Sequence, residues 1–142
     1  MKPGVDCIGV GCGAVVVNAK NEILLVKRSI NSGEDPGTWS RPGGKVEFGE
    51  RIEAAVEREV EEEVGIKVRA MRLLNVTQYI ENGKHWISFG YLVEHLVGTP
   101  VNKEPDKHDA VGWFALGGLP EDVNEYTLNA IRAYKESLAK RD

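Results

Sequence analysis

The chain has 142 residues, of which 42% are hydrophobic and 28% charged, with a formal net charge of −4. That is enough chain for one domain with a buried core, and the acidic balance leaves no electrostatic footprint for duplex DNA or RNA. No apolar run approaches the roughly 18 residues of a membrane-spanning helix, and the opening Met1-Lys2-Pro3-Gly4 lacks the apolar stretch of a signal peptide.

In chain order, residues 7–17 form an apolar, glycine-punctuated segment. It holds the only two cysteines, Cys7 and Cys12, whose odd separation turns them to opposite faces of an extended strand. Neither has zinc-type spacing, so free thiols in a reducing cytoplasm are expected. Asn18-Ala19-Lys20-Asn21 is a turn, and residues 22–28 are a β-branched and Leu-rich strand. Residues 31–37 carry strong turn chemistry. Two further strands, 67–80 and 86–96, flank the hairpin signal Asn82-Gly83. A second loop spans 98–108 and a short strand 111–115. A helix from about 121 to 140 closes the chain, with Leu128, Ile131, Tyr134 and Leu138 as its apolar stripe.

Between these elements lies the most informative segment, residues 44–66. If 50–64 is helical, Ile52, Val56, Val60 and Val64 form a core-facing stripe. Glu59, Glu62 and Glu63, at i, i+3 and i+4, then project from another side. Taken alone, a run of Glu is usually a solvated face. Here Pro42-Gly43-Gly44 supplies a permissive backbone just ahead, Gly65 stands where a helix C-terminal glycine belongs, and Arg58 can fix a carboxylate. Crowded carboxylates are costly unless a cation joins them. Hard oxygen ligands suit Mg²⁺ or Mn²⁺ rather than Zn²⁺.

Gly44, Glu50, Arg58, Glu59, Val60, Glu62, Glu63, Gly65 and Ile66 resemble the Nudix box at every fixed position. The segment 22–28, the Trp39-Ser40-Arg41-Pro42-Gly43-Gly44 approach, and the late Trp113-Phe114 and Leu119-Pro120 pairs extend the likeness over roughly residues 8–137. The resemblance implies an α/β protein, an α/β/α sandwich with a mixed β-sheet between helices, forming a single domain over 1–142. It also implies metal-dependent hydrolysis of a pyrophosphate bond in a nucleoside diphosphate-linked small molecule.

By the same resemblance Glu59, Glu62 and Glu63 are the main metal ligands, with the Gly44 carbonyl as a further one. Glu50 would be an outer ligand, and Arg58 would orient Glu59, the favoured base for water. Arg28, in the strand that matches the family, is a substrate-binding candidate. Glu104 matches the loop Glu of MutT-type members that completes the metal site or acts as base, with Asp106 a weaker alternative.

One position departs from the family pattern. An apolar residue commonly precedes the Pro-Gly-Gly, and here it is Arg41. Its guanidinium could grip a substrate phosphate or simply lie along an exposed edge. Trp39 and Trp113 are expected as packing residues, Trp86 as a half-buried strand aromatic, and His85, His95 and His108 show no ligand spacing. Subgroup marks for sugar nucleotides, dinucleoside polyphosphates and coenzyme A are missing. That favours a MutT-like pyrophosphatase acting on a (d)NTP or modified (d)NTP, with ADP-ribose hydrolysis and a non-catalytic nucleotide sensor as alternatives. A homodimer through exposed strands is left open.

Overall fold

A computed structural model of the chain describes residues 1–140. Among the described residues, seven strands and two helices follow the order β1 (Gly9–Val16), β2 (Glu22–Arg28), β3 (Trp39–Ser40), β4 (Gly43–Lys45), α1 (Ile52–Val64), β5 (Lys67–Glu81), β6 (Lys84–Val97), β7 (His108–Ala115) and α2 (Glu125–Ala139). The strands form two sheets rather than one. A mixed sheet has the order β4-β1-β6-β5, with β1 parallel to β6, and an antiparallel sheet has the order β3-β2-β7.

The two-residue period of β1 and β2 explains how helices come to cover both faces of this layer. Cys12, Ala14 and Val16 of β1, with Leu24 and Val26 of β2, pack with Val56, Val60 and Val64 of α1. The alternate positions Val15, Ile23 and Leu25 pack with Ala130, Ile131 and Tyr134 of α2. The expected sandwich is therefore present, with its middle layer split in two. Asn82 and Gly83, both at positive φ (52° and 74°), close the β5–β6 hairpin as the Asn-Gly signal requires.

Local readings differ from the structure at four places. The C-terminal helix starts at Glu125, because the Asn124 side chain accepts a hydrogen bond from the Thr127 N–H and caps it there. Its buried face is Thr127, Ala130, Ile131 and Tyr134, while Leu138 is exposed. Cys7 lies ahead of β1 rather than in one strand with Cys12, and both thiols are free. Gly43 and Gly44 belong to a strand paired with Gly13 and Cys12, not to a turn. Gly43 must be a glycine because the backbones approach closely there: a Cβ on it would strike the Cys12 carbonyl.

Among the described residues no helix is long and apolar enough to cross a membrane.

Candidate active site

Helix α1 begins at Ile52, so Glu50 stands before it rather than in its first turn. The helix ends as expected, at Gly65 in the left-handed conformation (φ 73°), whose N–H reaches the Glu61 carbonyl. Two of the carbonyls this end leaves open are taken by the loop between β6 and β7. Val101 N–H donates to Val64 O at 2.9 Å and Lys103 N–H to Glu63 O at 3.1 Å. That docking carries Glu104 to the helix. A turn then brings the Lys107 and His108 N–H groups onto the Glu104 carbonyl, each at 2.9 Å. As a result β7 starts at His108 instead of 111, beside Arg28 at the end of β2.

Glu63, Glu104 and His108 meet there, with one potential ligand atom of each within 4.8 Å of the others. Glu63 is buried, accepts from the Gly43 N–H at 2.7 Å, and lies 3.5 Å from Nε2 of His108. Burial, with the charges of Glu59 and Glu104 adding to it, pushes the Glu63 carboxyl up to about 8. Burial also lowers the His108 imidazole. Burial thus favours the uncharged form of both groups, and Nδ1 of His108 is buried without a hydrogen-bond partner.

The other two helix carboxylates are organised by Arg58. Its Nη1 donates to Glu59 at 2.8 Å and to Glu62 at 3.2 Å. The bidentate pair, however, is made with Glu50 (Nε at 2.7 Å, Nη2 at 2.9 Å). Hydrogen bonds from Arg58 hold Glu50 down to about 2. Glu59 is pulled both ways: burial raises it, Arg58 opposes, and burial is the larger effect. Gly44 makes room for it, since a Cβ there would fall 2.5 Å from the Glu59 carboxylate.

Glu59, Glu62, Glu63, Glu104, Arg58 and Gly44 all line one open cleft of about 790 Å³, as do Arg28 and Arg41. Glu50 does not line it, since both of its oxygens are spanned by Arg58. Arg28 is partly committed, through Nε to the Glu34 carbonyl at 2.7 Å and Nη2 to Ser32 Oγ at 2.9 Å. Asp106 lines the cleft but is exposed.

Two sequence readings need correction. Arg41 does not lie on an exposed edge. It is buried, with Nη1 on the Tyr126 carbonyl (2.6 Å) and Nη2 on Ser88 Oγ (2.8 Å). His108, which shows no ligand spacing in the sequence, is buried and joins the carboxylate cluster. Nothing in its local spacing marked it, because it reaches the site through the pairing of β2 with β7. Trp39 does pack as expected, edge-on to Phe114 at 4.8 Å.

The cluster suits a divalent ion on its own terms. A buried carboxyl held above its usual range, a second carboxylate and the buried imidazole whose Nε2 faces Glu63 form an oxygen-rich donor set that suits a cation. Oxygen donors in the majority fit Mg²⁺ or Mn²⁺.

Residues 8–134 match the NUDIX domain model. The fold is shared with a solved MutT NUDIX hydrolase from Burkholderia pseudomallei, at 43% identity and a TM-score of 0.79 over 88% of this chain and 96% of that one. The chain is also 34% identical over 108 residues to the 8-oxo-dGTP diphosphatase of Escherichia coli, covering 76% of this chain and 81% of the relative. It is 35% identical over 115 residues to the 8-oxo-dGDP phosphatase NUDT18 of Mus musculus, covering 80% of this chain and 34% of the relative. The chain thus spans about a third of the length of that mouse protein. The chain belongs to the Nudix hydrolase family.

Proposed function

We propose that this chain, acting as one domain, hydrolyses a phosphoric anhydride bond in a nucleotide. Its substrate is a (d)NTP or modified (d)NTP, and its products are a nucleoside monophosphate and pyrophosphate. The observation that carries this reading is the convergence of Glu63, Glu104 and His108 within 4.8 Å, next to Glu59 on the same cleft. A sensor that had lost turnover would have no need of so many costly carboxylates at one point.

Glu63, Glu104, Glu62 and the Gly44 carbonyl would hold Mg²⁺ or Mn²⁺. Such an ion compensates phosphate charge, polarises a phosphoryl oxygen and acidifies a nearby water. His108, buried 3.5 Å from Glu63, keeps it in position from one side while the Gly43 N–H does so from the other.

Glu59 is the general base. Its half-buried carboxylate, raised above its ordinary range, is fixed by Arg58 at 2.8 Å. It takes one proton from the attacking water as the remaining hydroxyl bonds to the α- or β-phosphorus and the anhydride P–O bond between them breaks, releasing pyrophosphate or the nucleoside monophosphate as the leaving group. Arg28 offers its remaining N–H groups to phosphate oxygens. Glu50 serves as the anchor of Arg58 rather than as a ligand.

A panel of natural and oxidised nucleoside triphosphates, ADP-ribose and diadenosine polyphosphates, resolved by chromatography with Mg²⁺ or Mn²⁺, tests this. Monophosphate plus pyrophosphate from a triphosphate, lost in Glu62→Gln, is the expected result. Cleavage of ADP-ribose alone would replace the substrate, and silence with nucleotide still bound would return the chain to the sensor class.

A further inference from the structure

The cleft runs on from the carboxylates over one face of the mixed sheet. In register, Gly9 faces Trp86, Gly11 faces Ser88 and Gly13 faces Gly90, so alternate positions of β1 and β6 share this face. Trp86 covers Gly9, where an added Cβ would fall 2.6 Å from the indole. Arg41 covers Gly13, where a Cβ would strike Nε. Between them Gly11 is uncovered: its nearest neighbours to an added Cβ are Gly44 O at 3.6 Å and Ser88 Oγ at 3.8 Å. The result is a slot with a backbone floor, an indole on one side and a guanidinium on the other, and all of these groups line the cleft. A flat heteroaromatic ring fits such a slot, since it presents faces to stack and an edge to hydrogen-bond.

Arg41 gives the slot its chemical preference. It is 8% exposed and makes no ion pair with a carboxylate among the described residues. Two of its N–H groups go to Tyr126 O and Ser88 Oγ, and Nε has no partner. Burial lowers it only to about 10, so it remains a cation at neutral pH. A guanidinium donates and never accepts. Whatever part of a ring meets it must therefore be an acceptor, and an amino group set there would leave donors facing donors.

We propose that Arg41 selects the base, donating to a carbonyl oxygen of a nucleobase seated over Gly11 and Ser88, so that keto bases are preferred to amino bases. The selection rests on the reading that the cleft takes a nucleotide. It moves Arg41 from the phosphate role its sequence suggested to the opposite end of the substrate.

Inosine and adenosine monophosphates provide the probe, since one carries a carbonyl where the other carries an amino group. Their binding to the wild-type protein, followed by tryptophan fluorescence, is expected to favour the inosine form by about tenfold, the scale of one good arginine–base pairing. Arg41→Leu is expected to erase that preference by weakening the inosine form alone, and Arg41→Lys to keep part of it. A purely structural role would weaken both nucleotides alike, which would overturn the proposal. The wild-type comparison needs no variant to fold. Equal binding, a preference for adenosine, or binding of neither would also overturn it.

Turnover of the matching triphosphates separates this from the hydrolase reading. Equal kcat/KM for both triphosphates refutes selection and leaves the hydrolase intact. A binding preference lost in Arg41→Leu, with no turnover of either, keeps the selection and removes the hydrolase.

Discussion

Helices α1 and α2 cover opposite faces of the same layer, yet they are built to different standards. Helix α2 follows the rules for a stable helix: a side-chain cap from Asn124 and a buried face of Thr127, Ala130, Ile131 and Tyr134. Helix α1 breaks several. Its N-cap Arg51 makes no side-chain cap bond, four glutamates crowd its second half, and one of them, Glu63, is buried. It persists because Val56, Val60 and Val64 are fully buried and because Val101 and Lys103 satisfy its last carbonyls. Arg58 binds Glu50, Glu59 and Glu62 together. A helix that departs from local rules while keeping its core face marks a site whose cost is carried by the rest of the fold.

The largest expected effect separates the helices by activity. Glu59→Gln should lower kcat about a hundredfold or more, the scale of a lost general base, while the melting temperature holds or rises. The exposed Glu136 of α2 is the control, and its change to Gln should alter neither quantity.

Next come the cores, measured by urea unfolding with activity followed per folded molecule. Ile131→Ala in α2 should cost about 2–5 kcal/mol, and Val60→Ala in α1 about 2 kcal/mol. A smaller loss, about 1 kcal/mol, is expected for Asn124→Ala, since α1 has no comparable cap to lose.

The last comparison is of slopes against pH, read in metal-free protein with chelator. Glu63 is raised from 4.5 to about 8, so its contribution to stability is full below about 4.5 and is lost as pH climbs to about 8. Glu50 is lowered from 4.5 to about 2, so its contribution is present above about 4.5 and is lost as pH falls toward 2. Glu63→Gln should flatten the neutral limb of the stability profile and Glu50→Gln the acid limb. The same slope in wild type and variant would contradict the assignment of that carboxylate.

What could be read from the sequence was what local periodicity encodes. The four-residue recurrence of valines announced α1, Gly65 its end, and Asn82-Gly83 the hairpin. The Arg58–Glu59 contact followed from adjacency. Long-range pairing was not legible. Nothing local tells Gly43–Lys45 to lie along β1, or β7 to begin at His108, because strand register depends on what the partner strand offers. For that reason His108 escaped notice although it sits against Glu63. Arg41 could be read as a phosphate contact or an edge residue but not as a buried one, because its burial depends on Ser88 and Tyr126, 47 and 85 positions away. Glu50, which belongs to the family pattern, turns out to hold Arg58 and not to face the cleft.

The most direct measurement is steady-state turnover of the best triphosphate against Mg²⁺ or Mn²⁺ concentration, for wild type and Glu63→Gln side by side. The carboxylate cluster predicts no turnover in chelator, saturable activation by the metal, and a variant that needs far more metal or fails to turn over while still folded. Hydrolysis that persists in chelator, or a variant with an unchanged metal dependence, would contradict it.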